Sequence, residues 1–250
     1  MRVPAEGAVI SNTGAYEHRR AWIAEYFDRT AAAAWAQLTS DAPVSAVRQK
    51  VRAGRERMRQ LLASWLPDNL TGLRVLDAGC GTGTLAIQLA SRGASVVAID
   101  LSPTLTDLAR ERTPESLRKL IDFRAGDMLD PSLGTFDYTV AMDSVIHYRA
   151  PEMLNVVNEL RSRTSRSVLF TVVPRTPMLT VMLTMGKLFP RRERAPSVEP
   201  ISDDVLRQGL REYEHDDWHL ERTQVIRGGF YASQAVELSY RGLPPSEVTV

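Results

Sequence analysis

Val75-Leu76-Asp77-Ala78-Gly79-Cys80-Gly81-Thr82-Gly83 is the stretch whose reading decides the fold. Its apolar residues predict a short buried strand, its glycines a tight turn, and the residues from Thr84 onward a helix. Asp77 stands at the strand end, two residues before the first glycine. A second acid, Asp100, closes the next apolar run, Ala94-Ser95-Val96-Val97-Ala98-Ile99. Strand, glycine turn and helix together predict a pocket in which backbone N–H groups cradle a nucleoside-type cofactor.

The spacing of the glycines distinguishes between cofactors. A dinucleotide fold uses G-x-G-x-x-G and aims a helix amino terminus at a pyrophosphate. Here the loop reads G-x-G-x-G, with the Asp77 carboxylate directed at it. A carboxylate repels pyrophosphate but suits an ammonium or a sulfonium. Asp100 lies 17 residues after Gly83, where two acceptor oxygens can hold a ribose diol. Both acids favour S-adenosyl-L-methionine over NAD. Expected cofactor contacts are Asp77, Gly79, Gly81, Thr82, Asp100, Leu101 and Ser102. Thr82 offers a hydroxyl or an N–H to the methionine carboxylate, or only turns the chain; Ser102 reads equally well as a helix cap.

Composition frames this reading. At 250 residues the chain can bury a large core, and one α/β domain with a small appendage is expected. A net charge of +1 gives no global sign of nucleic-acid binding. A single cysteine, Cys80, excludes a disulfide framework or a cysteine-rich metal site and reads as a small residue fitting a tight turn. No protein-bound metal is expected. No apolar run approaches the roughly 20 residues of a membrane span, and the amino terminus lacks a signal-peptide core. The expected place is the cytoplasm, or the surface of a membrane.

Along the chain, residues 1–14 read as a frayed tail. From Tyr16 to about Leu38 an alanine-rich helix is predicted, with Trp22, Tyr26, Arg29 and Ala33 near one face. Pro43 fits the first turn of a second helix. There Val47, Val51, Met58, Leu61, Leu62 and Trp65 keep a helical period, and the arginines opposite them read as a solvated face, or as a docking patch for an acidic partner. Pro67 stops that helix. Strands are predicted near 73–78, 94–99, 121–125, 137–142 and 166–172, with helices near 84–91, 103–112 and 151–162. Pro103 and Pro151 fit first-turn positions. This alternation predicts a parallel sheet with helices on both faces, and a ligand outside the carboxyl ends of its strands. Asp77, Asp100, Asp127 and Asp143 all lie at or after strand ends and so converge on one rim. The Met-rich stretch 178–189 predicts a short helix apolar on more than one side. A helix near 202–211 and two strands, 217–226 and 229–238, close the chain as two antiparallel strands added to a five-stranded parallel core. The expected division is a helical arm, 1–66, and an α/β domain, 67–250, with 174–200 as a lid insertion after the fifth strand.

Four residues of the rim attract further roles. Asp127 can accept from an adenine amino group, or merely cap a turn, and Met128 can pack on the ring. Asp143 would line the methionine side of the donor. His147 sits in a rim loop where an acceptor would approach, although a lone histidine is often structural.

Glu25-Tyr26-Phe27-Asp28-Arg29-Thr30 with Trp35, the glycine loop, Met142-Asp143-Ser144-Val145-Ile146-His147-Tyr148, Thr176-Pro177 with the Met-rich helix, and Gly229-Phe230-Tyr231 together resemble the magnesium-protoporphyrin IX O-methyltransferases of chlorophyll and bacteriochlorophyll synthesis. The glycine loop marks only the methyltransferase class; the segments around Tyr26 and His147 carry the narrower likeness. The resemblance implies a Rossmann-like class I methyltransferase fold with a seven-stranded, mostly parallel sheet. It implies Tyr26 and His147 as catalytic residues, and magnesium protoporphyrin as the substrate, its magnesium belonging to the substrate alone. It also implies handover from the porphyrin-carrying subunit of magnesium chelatase, and it narrows the membrane surface to the photosynthetic membrane. A flat macrocycle needs a broad apolar slot. The first helix and the Met-rich helix, with Met178 and Met182, are expected to form it, or the latter simply packs on the sheet. Arg175, Arg191, Arg192 and Arg194 are candidates for the second propionate. A propionate is ionised at neutral pH, so the expected role of Tyr26 and His147 is orientation by hydrogen bonding; ligation of the substrate magnesium by His147 is the alternative. Two rivals share the cofactor residues: a methyltransferase for a quinone, a phenol or another acid, and a non-catalytic binding module.

Overall fold

The structure is a computed structural model that describes residues 9–31, 39, 45–175, 198–211, 217–228 and 231–242. A seven-stranded sheet forms its centre: β1 (Arg74–Ala78), β2 (Ser95–Asp100), β3 (Ile121–Ala125), β4 (Phe136–Ala141), β5 (Thr164–Val172), β6 (Trp218–Gly228) and β7 (Tyr231–Tyr240). Their order is β3-β2-β1-β4-β5-β7-β6. β1 pairs in parallel with β2 and with β4, so the order reverses between them and opens a crevice at their carboxyl ends. β7 runs antiparallel to both β5 and β6. β6 is therefore parallel to the first five strands and β7 is reversed, so the two close the five-stranded parallel core as the antiparallel pair that was expected.

Alternation along the strands builds a core on each face. Leu76, Ala78, Val97 and Ile99 face one side, with Phe170, Val172 and Val236; Val75, Val96 and Ala98 face the other, with Leu169 and Ala235. The first side is covered by α5 (Ala150–Ser162) and α6 (Asp203–Arg211), and Ile23 of α1 (Val9–Glu25) joins it. The second is covered by α2 (Ala46–Ser64), α3 (Thr84–Ser91) and α4 (Pro103–Arg112). Ser102 caps α4, its hydroxyl accepting from the Leu105 N–H at 3.3 Å, and Pro103 occupies the first turn.

The arm departs from expectation in three ways. Residues from Val9 are already helical, where a tail was expected, and Tyr26–Ala31 continue α1 as a π-helical turn. α2 begins at Ala46 behind a Ser45 cap rather than at Pro43, which lies outside the described residues, and Val47 is exposed. The inward stripe of α1 and its π-helical continuation runs through Tyr16, Arg20, Ile23 and Phe27, about a third of a turn from the expected Trp22–Tyr26 face. Trp22 is instead 41% exposed, stacked on Tyr26 with the Arg19 guanidinium beside it.

The stretch from 176 to 197 lies outside the described residues, but its flanks are tied together. The Arg175 N–H donates to the Ile201 carbonyl and the Ile201 N–H to the Val173 carbonyl, both at 2.9 Å. The Glu199 N–H donates to the Ile146 carbonyl at the same distance. Glu199, on the second flank, thus lies beside the turn that carries His147.

Candidate active site

A cavity of about 420 Å³ opens at the carboxyl ends of β1, β2 and β4, within the usual range for a small-molecule site. The glycine loop forms its floor. Gly79, Gly81 and Gly83 have φ of 85°, 52° and 76°, and the Gly79 and Cys80 N–H groups both donate to the Ile99 carbonyl. Gly79 passes so close to the turn after β4 that a Cβ there would collide with the Ser144 Cβ. Gly83 starts α3 in the left-handed region.

Two acids are set into this floor. Asp77 is buried, with its carboxyl accepting from the Ala86 N–H, while Oδ2 has no hydrogen-bond partner. Burial, aided by the neighbouring Asp100, pushes its carboxyl up to about 7. Asp100 accepts from the Gly81 N–H at 2.9 Å and the Ser102 N–H at 3.0 Å, which clamps the loop to the end of β2; burial also raises its carboxyl. Leu101, Gly126 and Met128 continue the wall beside Asp100. A buried carboxylate oxygen with no partner in the chain, on a wall where a side chain at Gly79 cannot fit, suits a cationic, nucleoside-sized group.

The opposite wall is built by β4, α1 and α2. Asp143 adopts φ 54°, and its N–H donates to the Thr171 hydroxyl at 2.7 Å. The same residue is ion-paired with Arg55 of α2. His147 lies in a 3-10 turn, buried, with the Phe27 ring edge-on at 5.6 Å. Ile23, Phe27, Met142 and Tyr148 supply apolar surface, and Arg52, Arg55, Glu56 and Arg59 line the cavity from α2.

The structure thus brings together Asp77, Gly79, Gly81, Thr82, Asp100, Leu101, Met128, Asp143 and His147 around one cavity. It does not bring Tyr26 there: Phe27, next in the chain, faces the cavity while Tyr26 stacks outside on Trp22. Ser102 is turned away, its hydroxyl donating to Asp28 of the arm at 3.1 Å as well as capping α4. Arg175 is exposed and off the wall. Met178, Met182, Arg191, Arg192 and Arg194 lie outside the described residues. Arg52, Arg55 and Arg59 of α2, expected on a solvated face or in a docking patch, line the cavity instead and were missed as site candidates in the sequence. Their signal was present in the i, i+3, i+4, i+7 spacing of Arg52, Arg55, Glu56 and Arg59, but a charged stripe on a water-filled cavity and one on open solvent have the same period.

Asp127 is also placed differently. Its carboxylate accepts from the Tyr16 hydroxyl at 2.6 Å and from Arg20 at 2.5 Å, and the Tyr16 ring stacks on Tyr148 with centroids 5.3 Å apart. With both oxygens engaged by α1, the carboxylate latches the arm to the sheet rim and does not stand on the cavity wall. Asp127→Asn is expected to change S-adenosylmethionine affinity less than about threefold while costing about 1 kcal/mol of arm docking. Faster hydrogen exchange in α1 would register the second effect. A tenfold weaker cofactor affinity with α1 unaffected would restore the adenine contact.

Sheet order, glycine loop and paired acids define a class I, S-adenosylmethionine-dependent methyltransferase, and residues 75–166 match a methyltransferase domain family. Residues 141–240 match the family described as magnesium-protoporphyrin IX methyltransferase C-terminus. The chain is 49% identical to the magnesium-protoporphyrin O-methyltransferase of Rhodobacter capsulatus over 223 residues, covering 89% of this chain and 97% of that one. It superposes on the crystal structure of the Synechocystis magnesium protoporphyrin IX methyltransferase with bound SAH at a TM-score of 0.78 and 28% identity, covering 88% of this chain and 99% of that one. With the same enzyme bound to SAM the TM-score is 0.73 at 25% identity, over 89% and 97%. The chain belongs to the magnesium-protoporphyrin IX methyltransferase family. Among the described residues no group of His, Cys, Asp and Glu is arranged to hold a metal ion, and no helix is long and apolar enough to cross a membrane.

Proposed function

We propose that this enzyme transfers the methyl group of S-adenosylmethionine to a propionate carboxylate of magnesium protoporphyrin IX, giving the monomethyl ester and S-adenosylhomocysteine, in (bacterio)chlorophyll synthesis. The observation that carries this reading is one cavity with an acid-lined glycine floor and, facing it, an apolar wall bearing His147 and the arginines of α2. Asp77, the glycine loop, Asp100, Leu101 and Met128 would hold the donor, which supplies an electrophilic methyl on a positively charged sulfur.

The acceptor needs no strong base, because a propionate has a pKa near 4.3 and arrives ionised. What the chain contributes is alignment and exclusion of water, which supply about 7–11 kcal/mol in the best cases. Ile23 of α1 and Phe27 of the π-helical turn that follows it line the cavity, and His147, against the Phe27 ring, would orient the carboxylate. Tyr26, on the outer face of the same turn, reaches the site only if the turn rotates. His147→Ala is expected to lower kcat about 100-fold. The loss is expected to persist on magnesium-free protoporphyrin, as orientation requires; full activity there would leave only ligation of the substrate magnesium. Incubating the enzyme with labelled methyl donor and magnesium protoporphyrin, with mass analysis of the product, tests the reaction itself. Absence of a singly methylated porphyrin overturns it.

The arm 1–66 and the stretch 174–200 form the substrate lid in this reading, supported by α1 on the cavity and by the tied flanks of the second segment. Receipt of porphyrin from the porphyrin-carrying subunit of magnesium chelatase, and work in the cytoplasm at the surface of the photosynthetic membrane, are parts of the proposal supported by the family resemblance.

A further inference from the structure

We propose that Arg55, with Arg52 one turn earlier on α2, receives the propionate carboxylate of the acceptor and holds it at the β4 end of the cavity. The inference rests on the function proposed above and assigns that site its charge reader.

Packing fixes which way α2 faces. Met58 and Leu62 are buried against the sheet, and Gly54 lies so close to the Tyr231 ring of β7 that any side chain there would collide with it. Gly54, Met58 and Leu62 are spaced four apart, so the helix cannot roll without lifting off β7. Arg52, Arg55, Glu56 and Arg59 are thereby turned to the cavity.

The arginines then divide by partner. Arg59 is tied to Glu56 and to Gln88 of α3, beside the glycine loop. Arg55 is ion-paired with Asp143 at the end of β4, their side chains 19% and 5% exposed. Asp143, Asp77 and Asp100 put three carboxyl groups around the cavity that an anionic acceptor must enter. Like charges brought together in a site partly shielded from water repel strongly. The donor's sulfonium offsets part of this, and that positive charge is lost once the methyl has moved. Arg55 cancels Asp143 where the nucleophile has to sit. A planar guanidinium can also serve two carboxylates at once through different edges, with a pair of N–H donors toward each, where an ammonium offers only single donors.

The test is equilibrium binding, followed by porphyrin absorbance, of magnesium protoporphyrin with two free carboxylates and of its dimethyl ester with none. Arg55→Gln is expected to weaken the diacid about 10- to 150-fold and the diester less than about threefold, with Arg55→Lys recovering part of the loss. Arg52→Gln is expected to act in the same direction, and it decides the matter alone if Arg55→Gln fails to fold with Asp143 unpaired. Calorimetric titration with S-adenosylmethionine reports the integrity of each variant. Parallel weakening of diacid and diester, or an unchanged diacid affinity in both glutamine variants, overturns the assignment. A wild-type enzyme that binds neither porphyrin would instead overturn the function on which it rests.

Discussion

Gly79→Ala is expected to give a less stable protein that no longer takes up S-adenosylmethionine. Two effects add. At φ 85° an L side chain is strained by about 1–2 kcal/mol. The added methyl also collides with the Ser144 Cβ at the head of the β4 turn, and overpacking of this kind costs about 1–3 kcal/mol. A protein of this size loses roughly 2–4 °C of Tm per kcal/mol, so a fall of about 4–20 °C is expected in thermal unfolding. Relief of the collision must move either the loop or the Asp143–Ser144 turn, and both line the cavity. Gly72→Ala is the matched control, because Gly72 has φ 80° but nothing within 4 Å of the added carbon. It should carry the strain alone and leave cofactor binding intact. Equal Tm shifts in the two variants would refute the close approach of loop and turn.

The second large effect is electrostatic. Asp77 has a folded carboxyl near 7, far above its ordinary value of 3.8, because it is buried. Between these limits the folded chain holds a proton that the unfolded chain has released. The stability of the cofactor-free protein therefore falls as pH rises from about 4 to about 7 and levels off above that, with Asp100 acting in the same direction. A cationic donor reverses the preference, since it favours the ionised carboxylate. Affinity for S-adenosylmethionine is thus expected to climb through pH 7, and binding at pH 6 to release a proton. Calorimetry at pH 6 in two buffers of different ionisation heat measures that proton directly. Asp77→Asn should abolish the release and weaken binding about 10- to 150-fold, yet leave the empty protein at least as stable as wild type at pH 8. If wild type and Asp77→Asn release the same number of protons, Asp77 is not the group that meets the donor's charge.

The parts of the molecule legible in the sequence are those fixed by local chemistry. The β1–loop–α3 unit, the acid ending β2 and the Ser102-Pro103 start of α4 each depend on residues within one turn of each other. The strands built on them are where periodicity and turn residues predict, within a few residues at each end. What escaped depends on contacts between distant segments. Tyr16 and Arg20 reach Asp127 across more than 100 residues, so a carboxylate with the right position for adenine is held by the arm. The arm carries aromatic residues on adjacent faces, and periodicity could not say that Ile23 and Phe27 face inward while Trp22 and Tyr26 do not. The arginine stripe of α2 was misjudged because only the packing of Gly54 on Tyr231 reveals which way it faces.

Cys80 lends itself to one practical use. It is the chain's single thiol, it sits in the glycine loop on the cavity wall, and burial together with Asp77 and Asp100 keeps it protonated. Alkylating reagents should consequently modify the native protein slowly, at one position, and more slowly still when the nucleoside pocket is filled. The wild-type chain thereby carries its own footprinting probe, able to report occupancy without a single engineered label.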